Sequence, residues 1–157
     1  MPTFRTETEL KNYILKNSRS AIKVAQEQVY HIIGRFLNQY YNDFTPKEYI
    51  RTYQLLCSLV KSDIRSTGNG WEAEVYFDAS MLNYEKGAVP LQHTPEHGMY
   101  GWATWGAEEV LNTALHGSHG GYVRTPPIYG QSMNVLNAKA IDILEKSLIQ
   151  AGIPVVR

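Results

Sequence analysis

The sequence has little cysteine, no excess of either charge and no long apolar run, and each absence argues against a class of protein. The single cysteine, Cys57, has no second cysteine for an internal disulfide, which argues against a disulfide-stapled secreted scaffold. Fifteen Lys and Arg balance fifteen Asp and Glu, so a strongly basic nucleic-acid binder is not favoured. No stretch reaches the roughly eighteen apolar residues of a membrane span, and residues 1–7 have no apolar signal core. We therefore expect a protein made in a cytoplasm, without membrane contact.

The length and composition indicate one domain that is rich in side chains frequent in protein interfaces. A length of 157 residues with 43% apolar side chains is typical of one compact domain, predicted to cover residues 1–157. Residues 1–65 carry ten basic against six acidic side chains, and residues 66–157 carry five against nine. Eleven tyrosines add side chains that are frequent in interfaces. The uneven charge suits head-to-tail contact between copies of the chain.

A long helix is predicted at the beginning of the sequence. Thr8–Tyr41 contains no proline and one glycine, and its apolar residues recur mostly every three, four or seven positions. The first half of this segment is much less apolar than the second, so we expect residues 1–20 to project, to fray or to pack only on a partner. His31 lies on the second half of the helix and is interpreted as structural.

A β-hairpin is predicted after a short helix that begins at Thr45-Pro46. Thr67–Gly70 is a turn, and Trp71–Asp78 alternates strictly between apolar and polar residues. Because strand side chains alternate between the two faces, four of them should face the core and four the water. The inward set is Trp71, Ala73, Val75 and Phe77, and the outward set is Glu72, Glu74, Tyr76 and Asp78. Cys57, within an apolar run, is expected to be a small buried thiol.

The remainder of the chain is predicted to be loops and two helices. Residues 87–130 form a loop-rich insertion that includes a helix over Trp102–His116. A last helix runs from Ser132 or Asn134 to Ala151 and ends at Gly152. Its predicted inward residues are Val135, Leu136, Ala140, Ile143, Leu144, Leu148 and Ile149. The fold class is therefore α+β: a long N-terminal helix, a small antiparallel sheet, and C-terminal helices packed on it.

Four histidines in two loops are the most enzyme-like feature of the sequence. They are His93, His97, His116 and His119, and Asp78, Glu85 or Glu96 could complete a zinc site with them. Both pairs lie in Gly/Pro-rich loops and lack the helical two-histidine pattern of metalloproteases, so turn-capping or interface histidines are favoured. Cys57 has no neighbouring base, and Gly117–Gly121 lacks the Gly-Lys-Ser/Thr ending of a phosphate-binding loop. We therefore assign no catalytic, cofactor-binding or metal-binding residue.

The order of these parts resembles a family of small virion proteins of tailed phages. The resemblance covers most of residues 8–151 and rests on Pro46–Leu59 ahead of the hairpin Trp71–Phe77, on Tyr84-Glu85-Lys86-Gly87, and on Thr125-Pro126-Pro127 before the last helix. The chain is similar to the neck and tail-component, or tail-completion, family of siphophages and prophages. It departs from the commoner pattern in the longer histidine-bearing insertion at 87–130.

The resemblance implies a structural protein without catalytic residues, metal or cofactor. Such a protein forms a ring of identical subunits at the head-tail interface, in contact with neighbouring connector, tail-tube or terminator proteins, and packaged DNA passes through the ring. It is located in the neck or tail of the virion, and in the host cytoplasm before assembly. Two alternatives stay open from the residues alone: a metal-dependent hydrolase or nuclease that uses the loop histidines, and a cytoplasmic protein-binding domain.

Overall fold

The computed structural model describes residues 2–43, 53–82, 107–116, 118–119, 123–124 and 127–155. It has four α-helices in these ranges: α1 (Glu7–Asn42), α2 (Gln54–Cys57), α3 (Ala107–Leu115) and α4 (Ile128–Gln150). Its short strands are β1 (Leu59–Lys61), β2 (Arg65–Ser66), β3 (Trp71–Glu72), β4 (Val75–Phe77), β5 (Ser118–His119) and β6 (Val123–Arg124). A 3₁₀ turn follows β4 at Ala79–Met81. The predicted α+β class is confirmed.

Helix α1 is one continuous helix of 36 residues, about 54 Å long at 1.5 Å per residue. Thr6 caps it, because its hydroxyl accepts a hydrogen bond from the Glu9 amide at 3.2 Å, while the Glu9 carboxylate accepts from the Arg5 amide at 2.8 Å. The predicted helix over Thr8–Tyr41 is confirmed. The two halves differ as expected in burial: the first has no buried residue before Ala21, whereas Leu37 and Tyr40 in the second are buried.

The described residues form three two-stranded sheets, β1 with β4, β2 with β3 and β5 with β6. β2 and β3 are antiparallel, with Arg65 opposite Glu72 and Ser66 opposite Trp71. Gly68 in the turn between them has a φ of +84°, a value that suits a residue without Cβ. The predicted hairpin is confirmed, and exposure alternates as expected from Trp71 to Phe77. The alternation ends at Asp78, which is half-buried and caps the 3₁₀ turn through the Ser80 amide at 2.9 Å.

Helix α4 begins earlier than predicted and ends where predicted. Pro127 precedes its first residue, and the Pro127 carbonyl accepts from the Gln131 amide at 3.0 Å, so the helix starts four residues before Ser132. Its end is a Schellman motif: the Gly152 amide donates to the Ile149 carbonyl and the Ile153 amide to the Leu148 carbonyl. Gly152 has a φ of +81°, as this motif requires.

The chain divides into two compact units, each with its own buried residues. Unit 1 comprises Met1–Gly34, Val60–Tyr76 and Ser132–Arg157, and its buried residues include Ala21, Gln26 and Ile143. Unit 2 comprises Arg35–Leu59 and Phe77–Gln131. Its buried residues are Leu37, Tyr40, Ser58, Leu59, Leu82, Leu111, Ala114 and Ile128. The prediction of a single domain stays a prediction.

Several predicted features lie wholly or partly outside the described residues. These are the short helix from Thr45-Pro46, the Tyr84–Gly87 element, and Trp102 and Trp105 of the helix predicted over Trp102–His116. The described part of that helix is α3, with Leu111 and Ala114 buried. Within residues 107–130 of the predicted loop-rich insertion, the structure has α3, β5, β6 and the start of α4.

Candidate functional site

The hairpin is held against α1 by a buried glutamine. Gln26 Nε2 donates to two strand-end carbonyls, those of Ser62 and Glu74, both at 2.9 Å. The same two residues bond to each other, because the Ser62 amide donates to the Glu74 carbonyl at 3.0 Å and the Glu74 amide donates to Ser62 Oγ at 2.8 Å. Gln26 is 8% exposed, so its amide satisfies backbone acceptors largely shielded from water.

The indole of Trp71 anchors the hairpin to the first half of α1. Trp71 Nε1 donates to the Leu15 carbonyl at 2.9 Å, and the Arg19 guanidinium lies over the indole ring at 5.6 Å from its centroid. The part of α1 around Leu15 and Arg19 is thus tied to the sheet, although both side chains are exposed.

Contacts along α1 and the end of α4 hold these two helices together within unit 1. Tyr13 Oη donates to the Gly152 carbonyl at 2.7 Å, and Gln28 Nε2 donates to Ser147 Oγ at 3.4 Å. Phe4 packs on the Tyr13 ring with centroids 5.0 Å apart. Because α4 ends near Tyr13, the residues of α1 that precede Tyr13 pass beyond the end of α4.

An open groove of about 480 Å³ lies between α1 and α4. It is lined by Val24, Glu27, Gln28, His31, Lys146, Ile149 and Gln150. Lys61 Nζ lies 2.6 Å from Glu27 Oε1, and this hydrogen-bonded cation lowers the pKa of the Glu27 carboxyl below its usual range. The groove therefore offers apolar side chains from both helices beside an ionised carboxylate.

Helix α4 carries large apolar side chains on the face that points to solvent. Ile141 is 80% exposed, Leu144 52% and Ile149 55%. At about 100° per residue, Ile141, Glu145 and Ile149 lie about 40° apart on the helix, so Glu145 lies between the two isoleucines. We call Ile141, Leu144 and Ile149, with Glu145 among them, the α4 stripe.

A second exposed apolar area lies on the first turns of α1. Leu10 and Ile14 are each 41% exposed, and Leu15 is similarly exposed. Lys11 lies on the same side of the helix, between Ile14 and Leu15 on a helical wheel. We call Leu10, Ile14 and Leu15, with Lys11 among them, the α1 patch.

Two predictions about burial were wrong. Leu144, Ile149 and Ala140, predicted to face inward, are exposed, because the packed side of α4 is the one that carries Ile143 and Ser147. Cys57 is exposed rather than buried. It ends the single turn of α2, and the chain then turns inward at Ser58 and Leu59, so the apolar run does not belong to one element.

The structure describes the side chain of one of the four loop histidines named in the sequence analysis. His116 is exposed, its Nδ1 lies 2.7 Å from the Asn112 carbonyl near the end of α3, and its ring stacks on Tyr129. His93 and His97 and the side chain of His119 lie outside the described residues. Of the part of the chain that the structure describes, no three His, Cys, Asp or Glu side chains are grouped so that they could hold a metal ion. His31 is exposed and lines the groove.

The sequence did not predict the hydrogen bonds of Gln26 or the exposure of the α4 stripe. A glutamine within a helix carries no local signal that it will bond to strands 36 and 48 residues away. The sequence of α4 shows its apolar periodicity, but periodicity alone does not distinguish a buried face from an exposed one. Among the described residues, no helix has the length and apolarity of a membrane span.

Together these features define an α+β protein whose helices expose two apolar faces. The chain belongs to the YomN family, whose model matches residues 7–151. YomN is a family associated with phages and prophages. The comparison found no match among curated proteins or solved structures. The phage association implied by the resemblance is confirmed, and the neck or tail-completion role stays a prediction.

Proposed function

We propose that this chain is a structural virion protein of a tailed phage that assembles as a ring of identical subunits at the head-tail interface. In this role it acts in the neck or in tail completion, contacts neighbouring connector, tail-tube or terminator proteins, and surrounds the path of the packaged DNA. It is not an enzyme and uses neither metal nor cofactor. It resides in the host cytoplasm until it joins the virion.

The observation that carries the proposal is the α4 stripe. Monomeric proteins expose single apolar side chains commonly, but a row of them on one helix face marks a surface that contacts another macromolecule. Because Ile141 is 80% exposed, packing within its own subunit does not account for this apolar face. Membership of a phage-associated family supports an assembly role for that surface.

The charge distribution supports contact between copies. The N-terminal 65 residues carry four more basic than acidic side chains, and the remaining residues carry four more acidic than basic ones, from the counts of ten against six and five against nine. A ring is built from heterologous contacts, in which two different surfaces of the subunit meet. The two compact units keep this imbalance in a smaller form, because unit 1 carries ten basic against eight acidic side chains and unit 2 carries five against seven.

The test is quantitative mass spectrometry of density-purified particles from the source phage. We expect a small fixed number of copies, on the order of six or twelve per particle for a closed ring, measured against the major head protein. A phage-encoded replication protein serves as the control for contamination by lysate. Absence of the chain from particles, despite its expression during infection, contradicts the structural role.

Deletion of the gene gives a second readout. In negative-stain electron microscopy we expect filled heads separate from tails, because the joining or completing layer is missing. Expression of the intact chain from a plasmid should restore joined particles. Joined, infectious particles without the chain would contradict the proposed position at the head-tail interface.

A further inference from the structure

Three cations share one solvent-facing side of the first half of α1. Lys16, Arg19 and Lys23 are all exposed, and at about 100° per residue they lie within about 60° of one another on the helix. Lys23 follows Lys16 after two turns, about 10.5 Å farther along the helix axis. We call Lys16, Arg19 and Lys23 the cation row.

No acidic residue of α1 interrupts the cation row. Glu9 and Glu27 lie on the same side of the helix, but Glu9 precedes the row and Glu27 follows it. The Glu9 carboxylate accepts a hydrogen bond from the Arg5 amide, and the Glu27 carboxylate is bonded to Lys61. The carboxylates at the two ends of the row therefore already have partners within the subunit.

The hairpin beside the row does not neutralise it either. Glu72 and Glu74 both lie beside Arg65, and no ion pair of the described residues includes a member of the row. Arg19 lies instead over the Trp71 indole, a contact that positions the guanidinium and leaves its charge in place. The row thus presents three positive charges to solvent.

The spacing and surroundings of these charges fit a polyanion. Like charges three or four positions apart on a helix repel each other, so a row of anionic groups bound across them relieves that repulsion. The exposed Asn12 lies in the same sector, one turn before Lys16, and adds an amide donor. No apolar side chain interrupts this sector from Asn12 to Lys23, whereas the core of a protein interface is apolar. Duplex DNA offers one phosphate charge per about 1.7 Å of its axis.

We propose that the cation row is the surface through which each subunit contacts the phosphate backbone of duplex DNA. The choice of DNA as the partner rests on the proposed function, in which packaged DNA passes through the ring. Contacts from lysine and arginine to phosphates carry no sequence information, and they allow DNA to slide. Because the whole chain has no net charge, the attraction is local and weak, which suits DNA that moves past the subunit.

Fluorescence anisotropy of the purified full chain tests the contact. The probe is a labelled duplex of about 30 base pairs with random sequence, titrated between about 50 and 200 mM salt. We expect weak binding by the natural chain, with an affinity that falls steeply as salt is added. The triple variant Lys16→Gln, Arg19→Gln, Lys23→Gln should make the slope of log affinity against log salt shallower by about 2.7, at about 0.9 for each lost phosphate contact. Its affinity at the lowest salt should fall at least about tenfold.

A charge-preserving variant separates the charge of the row from the structure of α1. Lys16→Arg, Arg19→Lys, Lys23→Arg changes the same three side chains and keeps every positive charge. Its affinity should stay within about twofold of that of the natural chain, because phosphate contacts in this surface depend on charge. Circular dichroism of each variant verifies that the helix content and the thermal midpoint are retained.

The matched control removes the same amount of charge elsewhere. Arg5→Gln, Arg35→Gln, Lys139→Gln neutralises three exposed cations that lie outside the row. We expect its affinity to fall less than about threefold and its salt slope to stay unchanged, because only the general field of the protein is altered. An equal loss in this control and in the glutamine variant of the row would overturn the proposal.

The remaining outcomes separate this contact from the proposed function. If the chain is present in particles and does not bind the duplex, the DNA contact is wrong while the ring stands. If the glutamine variant of the row binds DNA like the natural chain but is lost from particles, the row contacts an acidic protein surface, and the DNA contact is wrong. If the chain is absent from particles and still binds DNA through the row, the proposed ring falls while the DNA-binding surface stands.

Discussion

Replacing Gln26 with leucine is expected to loosen the hairpin from α1. The substitution puts a shorter, apolar side chain in a site that is 8% exposed, and it removes the amide that donates to the Ser62 and Glu74 carbonyls. The Glu74 carbonyl keeps the Ser62 amide as a donor, whereas the Ser62 carbonyl loses the Gln26 amide. The loss is therefore concentrated at one strand end.

The magnitude follows from the two lost hydrogen bonds. At about 0.5 to 1.5 kcal/mol net for each bond, their removal costs about 1 to 3 kcal/mol of unfolding free energy, and the added apolar burial of leucine offsets a part. For a chain of this size that corresponds to a decrease of roughly 2 to 10 °C in the thermal midpoint. Gln26→Glu should cost more, because a carboxylate oxygen then faces two carbonyl oxygens.

The assay combines urea unfolding with hydrogen exchange of residues 60–76. Gln28→Leu is the matched control, since Gln28 lies on the same helix and makes one longer hydrogen bond, of 3.4 Å, to Ser147. We expect the control to cost less than about 1 kcal/mol. The reasoning is refuted if both variants lose the same stability, or if exchange in the hairpin of Gln26→Leu matches that of the natural chain.

Three further perturbations test other parts of the structure. Gly152→Ala should destabilise the chain by about 1 to 2 kcal/mol in urea unfolding, because φ is +81° and a Cβ would lie 3.4 Å from Tyr13 Oη. Gly68→Ala is the control and should cost less, because Gly68 also has a positive φ but a Cβ there would meet no atom within 4 Å. Lys61→Met should raise the pKa of Glu27 toward 4.5 in an NMR titration, and an unchanged pKa would disprove that Lys61 is the cause of the lowering. Because the pKa of Glu27 is lowered in the folded chain, the stabilisation from this pair is present above about pH 4.5. It is lost as the pH falls through the lowered pKa. Leu37→Ala, at a fully buried position, should cost about 2 to 5 kcal/mol in the same unfolding assay, and a cost under about 1 kcal/mol would show that the site is not tightly packed.

Local patterns in the sequence predicted where the helices and strands lie better than they predicted which side chains are buried. The apolar period of α1 and the alternation after Trp71 arise from the geometry of a single element, and both were confirmed. The end of α4 was also predicted, because Gly152 is a local signal that depends only on the backbone. The start of α4 was predicted at Ser132 or Asn134 rather than at Ile128, because Gly130 and the prolines before Ile128 are typical of a loop.

Burial and long-range contacts required information that no local pattern carries. Leu144 and Ile149 have the spacing of core residues, yet the side of α4 that packs is decided by α1. Cys57 was assigned to the core from its neighbours, although a helix-to-strand change at Ser58 reverses the direction of the side chains. The α4 stripe, which carries the proposed function, is therefore a feature that only the folded chain reveals.

The hydrogen bond between Tyr13 and Gly152 has a consequence for the way the molecule folds. The two residues are 139 positions apart, and closing a flexible loop of that length costs about 4 kcal/mol from the (3/2)RT ln n relation alone. One hydrogen bond contributes about 1 kcal/mol, so it does not close this loop by itself. The bond therefore depends on other contacts between α1 and α4, such as the one between Gln28 and Ser147, and the phenol of Tyr13 reports whether these two helices are docked.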